Sequence, residues 1–335
     1  MRLAATLLVR DEADIVEAHL AYHLSAGVDV VVATDHRSTD GTTEILESYA
    51  RDGRVHIIRR DDERIRQSEW VTLMSRLAAT DHGADWVINT DADEFWWPRE
   101  GSLKDVLGAV PQPFGVVYGV SRVFVLRPGD GWFADRMTAR LALAAPINDP
   151  ATAFRHVAKV AHRADANAVV LQGNHRVSGL RHAELRAWSP LEVLHFPFRS
   201  LRQLERKYGT TATAWERNLR GDLARAARGL ELGSAAAAYE RVVVDDAAFR
   251  RGLADGALIE DMRLRDALHV LRDASGCFID PGRGRALLKF APPAFADDAS
   301  RAVDVSVLLE ADSVRLQRRA DELAARLRAA GAAPV

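Results

Sequence analysis

The sequence predicts an α/β fold, a doubly wound and mainly parallel sheet, with a helical C-terminal region. Through the first 95 residues, short apolar runs alternate with helical stretches of about 10–15 residues, a pattern typical of βαβ units. Polar or acidic residues follow three of the predicted strands. From about residue 212 onward Ala, Arg, Leu and Glu dominate, which favours helices.

The predicted elements of the first half follow one another closely. In chain order the strands span residues 3–9, 28–33, 55–58 and 85–90, and helices lie between them, including 42–50 and about 67–79. Asp11 can cap the first helix, and Gly27 can end it because glycine accepts the positive φ common after a helix. Since the carboxyl ends of parallel strands share one edge of a sheet, the polar residues that follow these strands can converge.

The pattern changes after Pro98. Further strands are predicted at 114–126 and 191–196, weaker ones at 158–161 and 169–172, a basic helix at about 200–208, and a terminal helix from the apolar spacing of Leu316, Ala320, Leu323 and Leu327. We expect one domain over residues 1–210 and a mainly helical extension over 211–335.

Composition excludes several classes of protein. The 48% hydrophobic and 27% charged content is ordinary for a soluble globular chain of 335 residues. A formal charge of −2 gives no general attraction to nucleic acid or anionic membrane. The lone cysteine, Cys277, excludes an intramolecular disulfide, and no apolar run approaches the roughly 18 residues of a membrane span. The prediction is a cytoplasmic protein without a transmembrane segment.

The most informative segment is Asp91–Phe95 (Asp-Ala-Asp-Glu-Phe), which follows the predicted buried strand 85–90. Ligands of open α/β sheets bind outside the carboxyl ends of the strands. Two carboxylates there are suited to a hard divalent cation, Mn²⁺ or Mg²⁺, which in turn holds a diphosphate. A solvated acidic turn is the alternative, and the strand before the segment and the aromatic residues after it argue against that.

Histidines extend the predicted cation site. His195 ends a later strand and can complete a mixed oxygen and nitrogen site, which would favour Mn²⁺. A core histidine bonded to the backbone is the alternative. His175 is a weaker case, for which we favour a structural or acceptor-side role.

Other residues are candidates for binding a ligand. Asp35 ends the second strand, where doubly wound folds recognise a ribose, whereas Asp40 is expected to shape the turn. Arg10 can neutralise phosphate, and Gln67 begins a helix that can face the same cleft. Of the adjacent indoles at positions 96 and 97, we expect one in the core and one as a stacking surface for a sugar.

These motifs together resemble family 2-like glycosyltransferases of the GT-A fold. Residues 7–17 (Leu-Leu-Val-Arg-Asp-Glu-Ala-Asp-Ile-Val-Glu) and 34–42 (Thr-Asp-His-Arg-Ser-Thr-Asp-Gly-Thr) resemble the nucleotide-binding start, and 89–96 the Asp-x-Asp motif. His195-Phe196-Pro197 resembles the late histidine motif of a bacterial subgroup. The resemblance covers about residues 3–210.

The resemblance implies a nucleotide-sugar donor, a divalent cation and transfer to a carbohydrate or other hydroxyl acceptor, with inversion. It implies that Asp35 contacts the nucleoside, Asp91 the ribose or sugar, and Asp93 and His195 the metal. No counterpart of the family's general base stands out. Glu94, beside the metal pair, is the first candidate, ahead of Glu184 and Asp135.

Two other functions fit part of the pattern. Some phosphohydrolases also place two aspartates after a strand, but Thr or Val usually follows two residues beyond the second, where this chain has Phe95. A non-catalytic nucleotide- or sugar-binding module on the same scaffold is the other alternative.

Overall fold

The computed structural model describes residues 1–142, 158–186, 188–206 and 235–290. Its first half is built from β1 (Leu3–Val9), α1 (Val16–Ser25), β2 (Val30–His36), α2 (Thr42–Ala50), β3 (Val55–Arg60), α3 (Gln67–Thr80), β4 (Trp86–Asp91), β5 (Glu94–Pro98) and α4 (Leu103–Gly108). The predicted alternation of strands and helices is confirmed, and Gly27, with φ of 107°, follows the end of α1 as predicted.

The second half adds shorter elements. They are β6 (Phe114–Val123), α5 (Phe133–Arg136), β7 (Ala139–Leu141), β8 (Ala158–Arg163), β9 (Val169–Val170), a 3-10 turn (Gln172–Asn174), β10 (Val177–Ser178), β11 (Ala183–Leu185), β12 (Leu191–His195), α6 (Leu201–Arg206), α7 (Ala235–Val242), α8 (Asp246–Ala254), β13 (Leu258–Glu260), α9 (Arg263–Val270) and α10 (Pro281–Leu287). The predicted terminal helix and the end of the predicted helix at 200–208 lie outside the described residues.

The central sheet is mixed, with a parallel half that matches the predicted doubly wound arrangement. Within the described ranges its order is β3-β2-β1-β4-β8-β6-β12-β5, with β11 beside β6. The pairings among β1, β2, β3 and β4 are all parallel, as are those of β12 and β11 with β6. Strand β8 enters antiparallel between β4 and β6, and β5 pairs antiparallel with β12 at the edge. This is a GT-A-like α/β architecture.

The direction of the chain reverses at β1. From β1 it moves outward to β2 and β3 on one side and then returns to β4 on the other, which is the strand order at which doubly wound sheets open a ligand crevice. In register, Val9 lies opposite Asp35 and Leu8 opposite Asp91, so the carboxyl ends of three strands meet.

Two local predictions are corrected. Asp11 does not cap α1, which begins at Val16, because its carboxylate accepts the backbone N–H of Thr39. Both Trp96 and Trp97 are fully buried, so neither offers a stacking surface to a sugar. Strand β5 is covered by α1, whose Tyr22 stacks on the Trp97 ring with a centroid distance of 6.1 Å.

The described part of the C-terminal region packs against the first 210 residues. Strand β13 pairs with β7, and α10 lies against α1. Arg263 forms an ion pair with the buried Glu192 of β12, with 2.8 Å between guanidinium and carboxylate. The division into two domains at residue 210 stays a prediction. Within the ranges described above, no helix is long and apolar enough to cross a membrane.

Candidate functional site

A cavity of about 430 Å³ opens at the carboxyl ends of β1, β2 and β4. Its walls are formed by Leu8, Val9, Arg10, Asp11, Glu12, His36, Ile65, Gln67, Asp91, Ala92, Asp93, Glu94, Lys159, His175, His195, Pro197, Phe198, Gln203 and Arg206. Six of the seven site residues predicted from the sequence therefore lie around one cavity. Asp35 is not among the wall residues.

Pairing between β5 and β12 brings the candidate cation ligands together. His195 lies opposite Glu94 in register, and the Phe196 N–H donates to the Asp93 carbonyl at 2.8 Å. The His195 Nε2 atom is 3.6 Å from the Asp93 Oδ1 atom. Asp93, Glu94 and His195 each offer a ligand atom, and these atoms lie within 4.8 Å of one another. Oxygen and imidazole donors at this spacing fit Mn²⁺ or Mg²⁺.

Glu94 is the most deeply placed carboxylate of the site. It is completely buried, its Oε2 atom accepts the Asp91 N–H at 3.1 Å, and its Oε1 atom lies 2.6 Å from the Lys159 Nζ atom. Burial raises the pKa of Glu94 to about 7, although the charge of Lys159 acts in the opposite direction. A carboxyl group with this pKa can hold or release a proton near neutral pH.

Lys159 is a buried cation inside the cavity wall. It lies on β8, and its Nζ atom is 2.8 Å from the Asp91 Oδ2 atom as well as close to Glu94. Burial alone would lower the pKa of Lys159, but the two carboxylates outweigh this, so its pKa lies above the ordinary value. The ammonium group is charged at neutral pH and joins the first and last carboxylates of the Asp91–Glu94 segment.

Asp91 is held by side chains from three further parts of the chain. Besides Lys159, its Oδ1 atom accepts a hydrogen bond from Asn174 Nδ2 at 3.2 Å and a long one from Gln67 Nε2 at 3.5 Å. Gln67 in turn accepts the Gly173 N–H at 3.2 Å, which connects α3 to the 3-10 turn. Asp91 thus has a fixed orientation while its side chain remains 29% exposed toward the cavity.

Arginines supply further positive charge at the cavity. Arg199 is fully buried, forms ion pairs with Glu12 and Asp14, and lies 3.8 Å from the Asp93 Oδ2 atom. Arg10 and Arg206 both line the cavity. Guanidinium groups at the rim are suited to the oxygens of a phosphate.

Asp35 serves the turn that follows β2. It is buried, one carboxylate oxygen accepts the Ser38 N–H at 3.2 Å, and the other accepts the Thr43 hydroxyl. Side chains alternate across a strand, and the next residue, His36, is the one that lines the cavity. Asp40 organises the same turn, as predicted, by accepting the N–H of Thr42 at 3.1 Å.

Of the three remaining candidates from the sequence, one lies in the cavity wall and two do not. His175 lines the cavity, and burial lowers its pKa to about 4, while its Nδ1 atom donates to the Ala158 carbonyl at 2.9 Å. Among the described residues the cavity wall includes neither Glu184, which accepts from the Tyr118 hydroxyl at 3.0 Å, nor Asp135, which pairs with His269. These two are therefore weaker candidates for a base than Glu94.

The sequence reasoning missed Lys159, Asn174, Arg199 and Arg206. Arg199 follows the His195-Phe196-Pro197 motif by two residues, so the motif itself was a signal for it. Asn174 precedes His175 and has a positive φ of 60°, which the Gly-Asn pair at 173–174 hinted at. Lys159 is the second residue of a weakly predicted strand, and nothing in the local sequence distinguishes it from a solvated lysine.

One family model matches part of the chain. The sequence model described as glycosyl transferase family 2 matches residues 16–178, which contain Asp35, the Asp91–Glu94 segment and Lys159. No curated protein sequence matches the chain.

Solved structures resemble the chain only distantly. A crystal structure of residues 1–349 of S. aureus TarS with UDP is 13% identical, with a TM-score of 0.34, over 80% of this chain and 90% of that one. TarS itself is 16% identical, with a TM-score of 0.29, over 39% of this chain and 23% of that chain. Glucosyl-3-phosphoglycerate synthase from Mycobacterium tuberculosis with Mn²⁺, UDP and glucosyl-3-phosphoglycerate is 16% identical, with a TM-score of 0.24, over 37% and 43%.

The family assignment therefore depends on the sequence match and not on these structures. The match begins in α1 and ends in β10, and it contains β2 and β4, two of the three strands whose carboxyl ends form the cavity. The region from residue 16 to residue 178 matches the model of glycosyl transferase family 2, the family that the motifs of the sequence predicted.

Proposed function

We propose that this protein transfers a sugar from a nucleotide-diphosphate donor to an acceptor hydroxyl, with the help of a divalent cation and with inversion at the transferred carbon. The observation that carries the proposal is the grouping of Asp93, Glu94 and His195, with ligand atoms within 4.8 Å of one another, at the reversal point of the sheet. The match of residues 16–178 to the family model supports it.

The residues of the cavity suggest a division of labour. Asp93 and His195 would hold the cation, which when bound stabilises the charge of the leaving diphosphate. Arg10 and Arg206 line the same cavity and would contact phosphate oxygens. Asp91, fixed by Gln67 and with an exposed edge, would accept hydrogen bonds from hydroxyls of the ribose or the sugar.

The nucleoside is assigned to the end of β2. Asp35 was predicted to contact it, and its bonds to the following turn leave His36 as the residue of this strand end that reaches the cavity. Asp35 would therefore shape the part of the cavity that holds the nucleoside, and His36 would contact the nucleoside directly.

Glu94 has two candidate roles. It would accept the proton of the acceptor hydroxyl as a general base, which commonly contributes about 10²–10⁴-fold to a rate. Its place in the ligand group also makes it a candidate third ligand of the cation. Replacing Glu94 with an uncharged residue distinguishes the two roles. If Glu94 is a ligand, the affinity for the cation falls; if it is the base, only kcat falls.

The experiment that tests the proposal is a thermal-shift and calorimetric screen of nucleoside diphosphates with and without Mn²⁺. A bound ligand raises the free energy of unfolding by RT ln(1 + [L]/Kd), so the correct nucleotide should stand out and should need the cation. Asp93→Asn should abolish the Mn²⁺-dependent part while the melting temperature of the ligand-free protein is kept. Asp135→Asn is the matched control, because Asp135 is exposed and pairs with His269.

Other outcomes would point to the alternative functions. If no nucleoside diphosphate stabilises the protein, the proposal fails. Release of phosphate from simple esters, with no need for a nucleotide sugar, would identify a phosphohydrolase. A protein that binds the nucleotide tightly but does not cleave the nucleotide-sugar donor, whether a hydroxyl acceptor or water is offered, would be a binding module.

A further inference from the structure

Lys159 stands out among the charged groups of the cavity because it is a permanent cation placed next to the candidate cation site. Its side chain is 5% exposed, so little water screens it. Strand β8 lies between β4 and β6, and this position delivers the lysine to the Asp91–Glu94 segment.

The ammonium group has two direct partners, and both belong to the segment that we assign to the donor and the cation. Its Nζ atom is 2.8 Å from Asp91 Oδ2 and 2.6 Å from Glu94 Oε1. Asp91, Asp93 and Glu94 carry three negative charges when ionised, and Lys159 cancels one of them.

A fixed positive charge acts oppositely on the two ligands of the proposed function. It repels a divalent cation that binds nearby, and it attracts a diphosphate. At short range and with little water, one such charge changes a binding free energy by well over the roughly 1.4 kcal/mol that corresponds to a tenfold change in affinity.

Building on the proposed function, we propose that Lys159 is a positioning residue that sets the charge balance of the site: it holds Asp91 and Glu94 in place, weakens the binding of the cation alone and strengthens the binding of the diphosphate. The protein would thereby avoid filling its cation site tightly in the absence of the nucleotide sugar. This role differs from a purely structural one, in which losing the lysine would weaken both ligands together.

Two separate binding measurements test the sign of each effect. Mn²⁺ binding is measured by calorimetry or electron paramagnetic resonance without any phosphate compound, and inorganic pyrophosphate binding is measured in the presence of a chelator. For Lys159→Met we expect Mn²⁺ to bind about tenfold more tightly or better, and pyrophosphate about tenfold more weakly or worse. Lys159→Arg keeps the charge and should change both affinities little.

Asp91→Asn provides a second variant if Lys159→Met does not fold. It removes a carboxylate that is 29% exposed, so it is the milder change, and it leaves the charge of Lys159 less neutralised. We expect the opposite signs: weaker Mn²⁺ and tighter pyrophosphate binding. Inorganic pyrophosphate is used because it has no ribose for Asp91 to contact.

The outcomes separate this inference from the proposed function. If the unaltered protein binds neither Mn²⁺ nor pyrophosphate alone and no nucleoside diphosphate in the presence of Mn²⁺, the proposed function has failed. If the unaltered protein binds them but folded Lys159→Met binds Mn²⁺ with unchanged or lower affinity, the charge-balance role is wrong while the proposed function stands. A drop in both affinities with a folded protein would overturn it in favour of a structural lysine.

Discussion

The stability of the protein should fall as the pH is lowered from 6.5 toward 4, because His162 is buried in the neutral form. It is completely buried on β8, its Nδ1 atom is 2.8 Å from the Arg163 carbonyl oxygen, and its Nε2 atom is 3.0 Å from the Ser75 hydroxyl. Nδ1 therefore donates, and in the neutral ring Nε2 accepts a hydrogen bond from the Ser75 hydroxyl. Burial lowers the pKa of His162 to about 4.

The sign and size of the effect follow from the two pKa values. An unfolded histidine takes up a proton near pH 6.5, whereas the folded protein leaves His162 neutral until about pH 4. The unfolded state thus binds more protons in this window, and the free energy of unfolding falls as the pH falls. The limit is about 3 kcal/mol, of which about 2 kcal/mol is lost by about pH 5.

Urea unfolding of the ligand-free protein at about pH 7.5 and about pH 5 measures this loss. His162→Gln keeps an acceptor for Ser75 but has no proton to gain, so we expect it to be less stable than the unaltered protein at the higher pH and to lose about 2 kcal/mol less on acidification. His56→Gln, at an exposed position of β3, is the matched control and should leave the pH dependence unchanged. An equal stability difference between the unaltered protein and His162→Gln at both pH values would refute the reasoning.

Three further substitutions test the site and its support. His195→Ala should lower Mn²⁺ affinity strongly and the metal-free melting temperature little; an equal fall with and without Mn²⁺ would indicate a core histidine. Glu94→Gln should lower kcat by about 10²-fold or more with little change in nucleotide affinity if Glu94 is the base; normal turnover would remove it from the mechanism, and a loss of Mn²⁺ affinity would make it a ligand. Arg263→Met should lower the free energy of unfolding by about 3 kcal/mol, because it removes one of the cations that pair with the buried carboxylate of Glu192. The remaining partners of Glu192 include Arg122. A change below about 1 kcal/mol in urea unfolding would show that the remaining arginines are enough to stabilise this carboxylate.

The fold was predictable where local pattern and sheet geometry decide it. Apolar runs and helical spacing placed β1, β2 and β4 correctly, because each strand is buried on both faces and each is followed by polar residues. Parallel strands present their carboxyl ends at one edge, and this was enough to bring Arg10, Gln67 and Asp93 to one cavity.

Long-range pairing explains what the sequence did not reveal. Strand β8 pairs antiparallel with β4 and β6, although about 67 residues separate the ends of β4 and β8 along the chain, and no local pattern encodes that partner. From the sequence alone, Lys159, the second residue of β8, is expected to be solvated; its burial follows only from the insertion of β8 between β4 and β6. For the same reason, the role of Glu192 could not be predicted from the sequence. Glu192 is buried among arginines from β6, α9 and the end of β5. Their positive charges lower the pKa of Glu192 to about 2, although burial alone would raise it.

The two aspartates of the Asp-x-Asp motif are one residue apart, and in a continuous strand they would share one face and one set of partners. Here β4 ends at Asp91, and a turn separates it from β5. Asp91 is consequently bound to Lys159 and Asn174, while Asp93 lies beside His195 and Arg199. Because the end of the strand divides the pair, replacing Asp91 should change the affinity for a nucleotide sugar even at saturating Mn²⁺, whereas replacing Asp93 should lower the affinity for Mn²⁺ more than replacing Asp91 does.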